Sequence, residues 1–266
     1  SLSDALLAER YQFISEIGFG NWAGSVWRCK SKQGASQGGP VCSIKLVHRS
    51  KNPTSSARVR SLWQEFKCIR GLRDVPHPNI IAFHTFIITP SYALITMAHH
   101  PRCIPVALPE EKAAVYFRQL VSAVDYLHAH GYSHNDIKPA NILLSEEDAP
   151  ILIDFGFAQH YALSATDRFL SSLSWGTPEY LDPLRARGSL HDERLSDIWA
   201  LGVTMYEVVV GRTPFEKNDA EEFLTRDALE VYYHRTTTGE FCGDFSISKE
   251  FEALIHWMVE PNVDRR

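Results

Sequence analysis

The sequence predicts an α+β chain, with a small β-rich N-terminal part holding one helix and then a larger, mainly helical part. Three observations carry that expectation. Short β-type apolar runs recur over residues 11–17, 41–45 and 92–97, bounded by glycine-rich or polar stretches. One helical spacing, Leu62, Phe66, Ile69 and Leu72, falls between them. After those runs the pattern turns helical over 109–130 and again over 197–210. The 266 residues are 44% hydrophobic and 22% charged, enough for a packed core in one large or two small domains. A net charge of −5 leaves no footprint for nucleic acid. No apolar run approaches the roughly 20 residues of a membrane span. No basic-then-apolar leader opens the sequence. Cys29, Cys42, Cys68, Cys103 and Cys242 form no Cys-x-x-Cys pair, which reads as free thiols in a reducing compartment rather than a zinc site.

The chemistry concentrates in residues 132–156. Two short β-type runs, 142–144 and 151–153, flank an acidic turn, as in a hairpin. Asp136, Lys138 and Asn141 precede it and Asp154 follows it. A hairpin brings its ends together, so Asn141 and Asp154 can face one small volume. A carboxylate and an amide oxygen are hard donors that suit Mg²⁺. Asp136 and Lys138 lie just upstream, placed to handle a hydroxyl and a phosphoryl group.

This stretch resembles the catalytic loop and Asp-Phe-Gly turn of eukaryotic protein kinases, and with it comes an expected bilobal protein-kinase fold. In that family the loop Asp takes the hydroxyl proton, the loop Lys steadies the transferring phosphate, and the Asn and the second Asp hold Mg²⁺. The resemblance places Asp136 and Lys138 in catalysis and Asn141 and Asp154 on the metal. It implies ATP and Mg²⁺ as cofactors and a protein substrate. It also implies a monomeric domain in the cytoplasm or nucleus, with no membrane or nucleic-acid partner. The N-lobe is expected over 1–98 and the C-lobe over 99–266.

The N-terminal elements then fall into order. After the first run comes Gly18-Phe19-Gly20-Asn21-Trp22-Ala23-Gly24-Ser25-Val26. Glycines let backbone amides approach a phosphate. The family pattern is G-x-G-x-x-G-x-V, and this loop is one residue longer. Either a residue is inserted at the tip, which keeps Val26 under the adenine, or Ala23 stands where the third glycine belongs. Lys45 closes an apolar strand, a costly place for a charge unless it is paired. It matches the strand lysine that holds the α- and β-phosphates, with Ser43 against the adenine. Glu65 lies on the 56–72 helix and follows Lys45 by twenty residues, resembling the glutamate that pairs with it. Thr96 aligns as the residue gating the back of the nucleotide pocket, and a one-residue shift would give Met97. Ala98, His99 and His100 would be the hinge, and Leu143 is expected on the nucleotide.

The helix over 109–130 presents Ala113, Phe117, Leu120, Val121, Val124 and Leu127 on one face and delivers the chain into the loop. Asn135 departs from the family, whose arginine there pairs with a phosphate on the activation loop. Asparagine carries no charge, so activity is expected not to depend on phosphorylation through this residue, with Thr166, Ser171, Ser172 and Ser174 the loop hydroxyls concerned. Thr177, within Gly176–Tyr180, would seat the substrate residue; with Lys138 it makes the serine/threonine pattern. The following Asp182-Pro183-Leu184 replaces Ala-Pro-Glu, so the family's buried C-terminal arginine, here Arg265 or Arg266, needs another partner or exposure. Asp197 opens a helix apolar on nearly every side, and in the family bonds the catalytic-loop backbone. The sequence ends where kinases usually add one more helix, as an excised domain would. An active serine/threonine kinase is expected; the alternative is a pseudokinase acting as a binding scaffold, supported by the altered glycine loop, Asn135 and Leu184.

Overall fold

Residues 2–20, 24–32, 39–50, 53–74, 76–164 and 169–266 are described by a computed structural model of the chain. Two compact units emerge, Ser1–Pro101 with Asp154–Gly156, and Arg102–Ile153 with Phe157–Arg266.

In the first unit α1 (Asp4–Arg10) leads into β1 (Tyr11–Gly20), and the Ser3 side chain caps the helix by accepting from the Leu6 amide. With β2 (Gly24–Ser31), β3 (Val41–His48), β4 (Phe83–Ile88) and β5 (Tyr92–Ala98) it forms one antiparallel sheet ordered β1-β2-β3-β5-β4. The two-residue period of β3 sorts its side chains. Cys42, Ile44 and Leu46 join Leu7, Cys29 and Leu94 on one face. Val47 joins Leu62, Ala93 and Ile95 on the other, under α2 (Pro53–Arg70). Lys45 alternates with Ile44 and Leu46 and therefore shares the α2 face with Ser43 and Val47. The helix starts earlier than its apolar spacing shows, because proline suits a first turn that lacks intrahelical partners.

The second unit is mainly helical. Its long helices are α3 (Glu110–Ala129), α5 (Glu193–Val210), α6 (Arg226–Thr238) and α7 (Lys249–Met258). The buried stripe of α3 is Ala113, Tyr116, Phe117, Leu120, Ala123, Val124 and Leu127. Val121, expected on that face, is 45% exposed instead. One residue of helix turns the side chain about 100° from Leu120, which carries it off the stripe. Helix α5 is buried along most of its length and stops at Gly211 with φ 97°. At Gly202 an added Cβ would stand 2.8 Å from the Met258 Cβ, so α5 and α7 meet with almost no side chain between them.

Short strands carry the loops. β6 (Arg102–Cys103), β8 (Ile142–Leu144) and β9 (Pro150–Leu152) form a three-stranded antiparallel sheet. β7 (Tyr132–Ser133) pairs with β10 (Gln159–His160), and β11 (Leu170–Ser171) with β12 (His191–Asp192). The one-turn helix α4 (Pro183–Ala186) is capped by the Asp182 carboxylate. A five-stranded sheet with its helix, followed by a mainly helical region, is the kinase fold class that the sequence predicts.

Candidate active site

Lys45 is the best-defined charge of the first unit. Its Nζ donates to Glu65 Oε2 at 2.8 Å, to Glu65 Oε1 at 3.0 Å and to Asp154 Oδ1 at 3.0 Å. Lys45 is 5% exposed and Glu65 4%. Burial opposes the ammonium charge, but the two carboxylates win and hold Lys45 above its ordinary range. Burial also pushes the Glu65 carboxyl up, against the pull of Lys45 and a donating Phe155 amide. Asp154 has φ 58°, a left-handed backbone that aims its carboxylate at Lys45, and the Gly156 amide donates to it at 3.2 Å. Phe155 is buried beside the Phe83 ring.

The residues expected on ATP take their places from strand register. Gly18 pairs with Val26, Phe19 with Ser25 and Gly20 with Gly24, so this backbone is strand up to the turn. The tip, residues 21–23 with Ala23, lies outside the described residues. A Cβ on Gly24 would stand 3.1 Å from the Leu46 carbonyl oxygen, a close approach that favours glycine. Val26 faces Lys45, and Ser43 faces Met97. Directly paired residues share a face, so Val26, Ser43, Lys45 and Met97 lie together. Thr96 pairs with Ile44 and points to the opposite face, where its hydroxyl lies 2.9 Å from that of Thr85. Ser43 Oγ is 3.1 Å from His99 Nδ1, and the Ala98 amide donates to the Ala82 carbonyl.

The second unit assembles Asp136, Lys138, Asn141 and Thr177. Asp136 Oδ1 accepts from the Thr177 amide at 3.1 Å and the Thr177 hydroxyl at 2.7 Å. Asp136 Oδ2 accepts from Asn141 Nδ2 at 2.8 Å and lies 3.2 Å from Lys138 Nζ. Lys138 Nζ also donates to Thr177 Oγ1 at 2.5 Å. Asn141 sits in the 3₁₀ turn Pro139–Asn141, and its second amide hydrogen bond goes to the Asp136 carbonyl. Leu143 follows on β8, opposite Ile151.

Asp197, near the start of α5, holds this loop from below. It accepts from the His134 amide at 2.9 Å and the Asn135 amide at 2.8 Å, and pairs with His128 Nε2 at 2.9 Å. Burial by itself would raise the Asp197 carboxyl, but His128, and then His134 with its amide, keep it below the usual carboxylate range. His134 is fully buried, with Nε2 on the Ile153 carbonyl and Nδ1 accepting from the Asp136 amide. It is therefore a packing and hydrogen-bonding residue.

Two departures from the family acquire partners. Arg266 stacks on the Trp199 ring and donates to the carbonyls of Glu260 and Leu195, so backbone and an indole stand where a glutamate was missing. Asn135 is buried and bonded at both ends of its amide, to Arg185 on one side and to Ser133, Phe157 and Glu193 on the other. Sequence reasoning missed Arg185 and Glu193 altogether. Thr166 lies outside the described residues. Among the described residues no helix is long and apolar enough to cross a membrane, and no group of three or more His, Cys, Asp or Glu is placed to hold a metal ion.

The family profile described as protein kinase domain matches residues 11–266. The chain belongs to the protein kinase domain family. Its relatives include serine/threonine-protein kinase SRK2D of Arabidopsis thaliana, 32% identical over 79% of this chain and 56% of that protein. Serine/threonine-protein kinase ULK3 of Xenopus laevis is 31% identical over 100% of this chain and 53% of its own length. Serine/threonine-protein kinase 36 of Pongo abelii is 33% identical over 78% of this chain and 15% of its own length. The chain thus spans about half the length of the first two relatives.

Proposed function

We propose that the chain is an active serine/threonine kinase domain, with its N-lobe over 1–98 and its C-lobe over 99–266, moving the γ-phosphate of ATP to a protein hydroxyl. The observation that carries this reading is the bonded set around Asp136. One carboxylate oxygen holds the Thr177 amide and hydroxyl, and the other holds Asn141 and lies beside Lys138. Phosphoryl transfer rests on positioning and charge stabilisation, and these residue types supply both. Asp136 accepts the proton of the substrate hydroxyl. Lys138 steadies charge on the transferring group. Thr177 seats the residue that follows the acceptor. Lys45, fixed by Glu65, takes the α- and β-phosphates. Gly18, Phe19, Gly20 and Gly24 offer backbone amides, and Val26, Ser43, Ala98 and Leu143 meet the adenine. Met97 takes the gating role, since it shares a face with Ser43 and Lys45, whereas Thr96 points away.

Asn141 and Asp154 would each offer Mg²⁺ a hard oxygen. Both amide hydrogen bonds of Asn141 go to Asp136, which leaves its carbonyl oxygen as the ligand. Asp154 supplies a carboxylate. The ion would neutralise phosphate charge; the residues orient it.

The test is turnover of Mg²⁺-ATP on a generic serine/threonine peptide, with Asp136→Ala as control. The expected outcome is activity in the wild type and a loss of at least ~100-fold in the variant. Nucleotide binding without turnover would move the chain to the scaffold reading.

A further inference from the structure

Arg185 is a buried charge that the reaction does not use. It stands on α4 and is 2% exposed. Its Nε donates to the Trp175 carbonyl at 2.9 Å and its Nη1 to Asn135 Oδ1 at 2.5 Å. The other end of the same amide donates from Nδ2 to Glu193 Oε2 at 3.0 Å, to Ser133 Oγ at 3.0 Å and to the Phe157 carbonyl at 3.1 Å. Glu193 is 0% exposed and also takes the Ser133 hydroxyl at 2.5 Å. One amide therefore stands between a guanidinium and a carboxylate, oxygen toward the cation and nitrogen toward the anion. That orientation favours both charges, neither of which survives burial alone. The nearby Tyr161 reports the same group: burial and Glu193 push its hydroxyl above the ordinary range, while Arg185 pulls it down. Asn135 has φ 70°, a left-handed backbone that asparagine tolerates.

The group touches the segment that leads into the transfer residues. Arg185 holds the Trp175 carbonyl. Gly176 follows with φ 122°, so close to the catalytic loop that a Cβ would stand 2.9 Å from the Asn135 carbonyl oxygen. Thr177 then bonds Asp136. Trp175 and Thr177 are thus anchored on Arg185 and on the catalytic loop, with Gly176 lying close against that loop between them.

We propose that Arg185, Asn135 and Glu193 form a charge clamp that seats residues 175–177 on the catalytic loop without an added phosphate. They are positioning residues, and that role rests on the kinase reading above. The chemistry forbids a simple return to the family's residue: an arginine at 135 would bring a second guanidinium against Arg185. Removing Arg185 at the same time would let the new guanidinium neutralise Glu193.

The experiment compares wild type, Asn135→Arg, Arg185→Met and the double variant, all phosphatase-treated and checked by intact mass. Steady-state turnover and amide hydrogen exchange are measured on each. The wild type keeps its activity after phosphatase. Each single variant loses at least ~10-fold in kcat with KM for ATP unchanged, and exchange at residues 175–177 accelerates. The double variant loses no more than Arg185→Met alone, because the new guanidinium then neutralises Glu193, a coupling that independent sites do not show. Unchanged activity in Asn135→Arg, losses that multiply in the double variant, or loss of wild-type activity with phosphatase would overturn the clamp. If Asn135→Arg does not fold, folding of the double variant under the same conditions supports the coupling, and its failure rejects it. If the wild type turns over nothing, the kinase reading falls. The exchange pattern then decides the clamp: slow only in wild type upholds it, and uniform exchange ends it.

Discussion

Lys45 and Arg185 are both buried cations, and their surroundings differ. Lys45 meets two carboxylates directly, Glu65 and Asp154, and the three carry one excess negative charge. Arg185 reaches its carboxylate through the Asn135 amide, and that group is neutral. An imbalance held in a low-dielectric place draws a further cation, whereas a balanced group has nothing left to attract. The first arrangement suits a site that handles a metal nucleotide. The second suits a fastening.

The contrast can be broken by mutation. Lys45→Met should have the largest effect, leaving the buried Glu65 and the half-buried Asp154 without their cation. Turnover should fall at least ~100-fold, and urea denaturation should show a stability loss of ~3–5 kcal/mol. Asp154→Asn should separate the two properties. It removes the excess charge, so thermal stability without nucleotide should hold or rise, while turnover drops ~100-fold and the extra melting shift given by Mg²⁺ with ATP disappears. If the variant instead lost stability as Lys45→Met does, the excess-charge description would be wrong. Glu193→Gln should behave in the opposite way. It spoils a balanced group, so stability should fall by ~1–3 kcal/mol in the same urea titration, with no change in the dependence on Mg²⁺.

A smaller effect concerns a half-buried acid with neither arrangement. Glu207 accepts from the Tyr180 hydroxyl at 2.5 Å, and burial, reinforced by Glu216 and Glu179, raises its carboxyl to about 7. The unfolded value is near 4.5. A raised folded value means that the native chain binds the extra proton, so this contribution is whole below about 4.5 and is lost as pH rises through about 7. Glu207→Gln should flatten the stability-against-pH curve in that window, as melting temperatures at half-unit pH steps would show. An unaltered slope would place the titration elsewhere.

What was legible in the sequence divides along the same contrast. Lys45 was visible because a charge closing an apolar strand demands a partner, and Glu65 sits at helical spacing on the next element. Asp136, Lys138 and Asn141, which bond to one another, were visible because they stand close together just before one hairpin. Arg185 and Glu193 belong to another kind. Each looks like an ordinary helix residue, and only the tertiary fold shows that Asn135 stands between them. Asn135 itself was seen as a lost charge, since a sequence displays the missing arginine but not the amide's two neighbours. Thr96 against Met97 was open for a related reason. A shift of one residue in a strand exchanges the faces, and the register that puts Met97 on the face of Lys45 and Thr96 on the other comes from β3. The family's absent glutamate was legible at Leu184, but its replacement by Trp199 and two carbonyls was not, because backbone partners leave no mark in the residue types.

The contact at Gly202 gives the second unit a mechanical character. Helix α7 bears almost directly on the backbone of α5, without a compressible cushion, and α5 carries Asp197 just over one turn upstream. Leu254 and Trp257 are exposed on α7. Pressure applied there, from whatever lands on that helix, would pass as a rigid push along α5 to the carboxylate beneath His134 and Asn135.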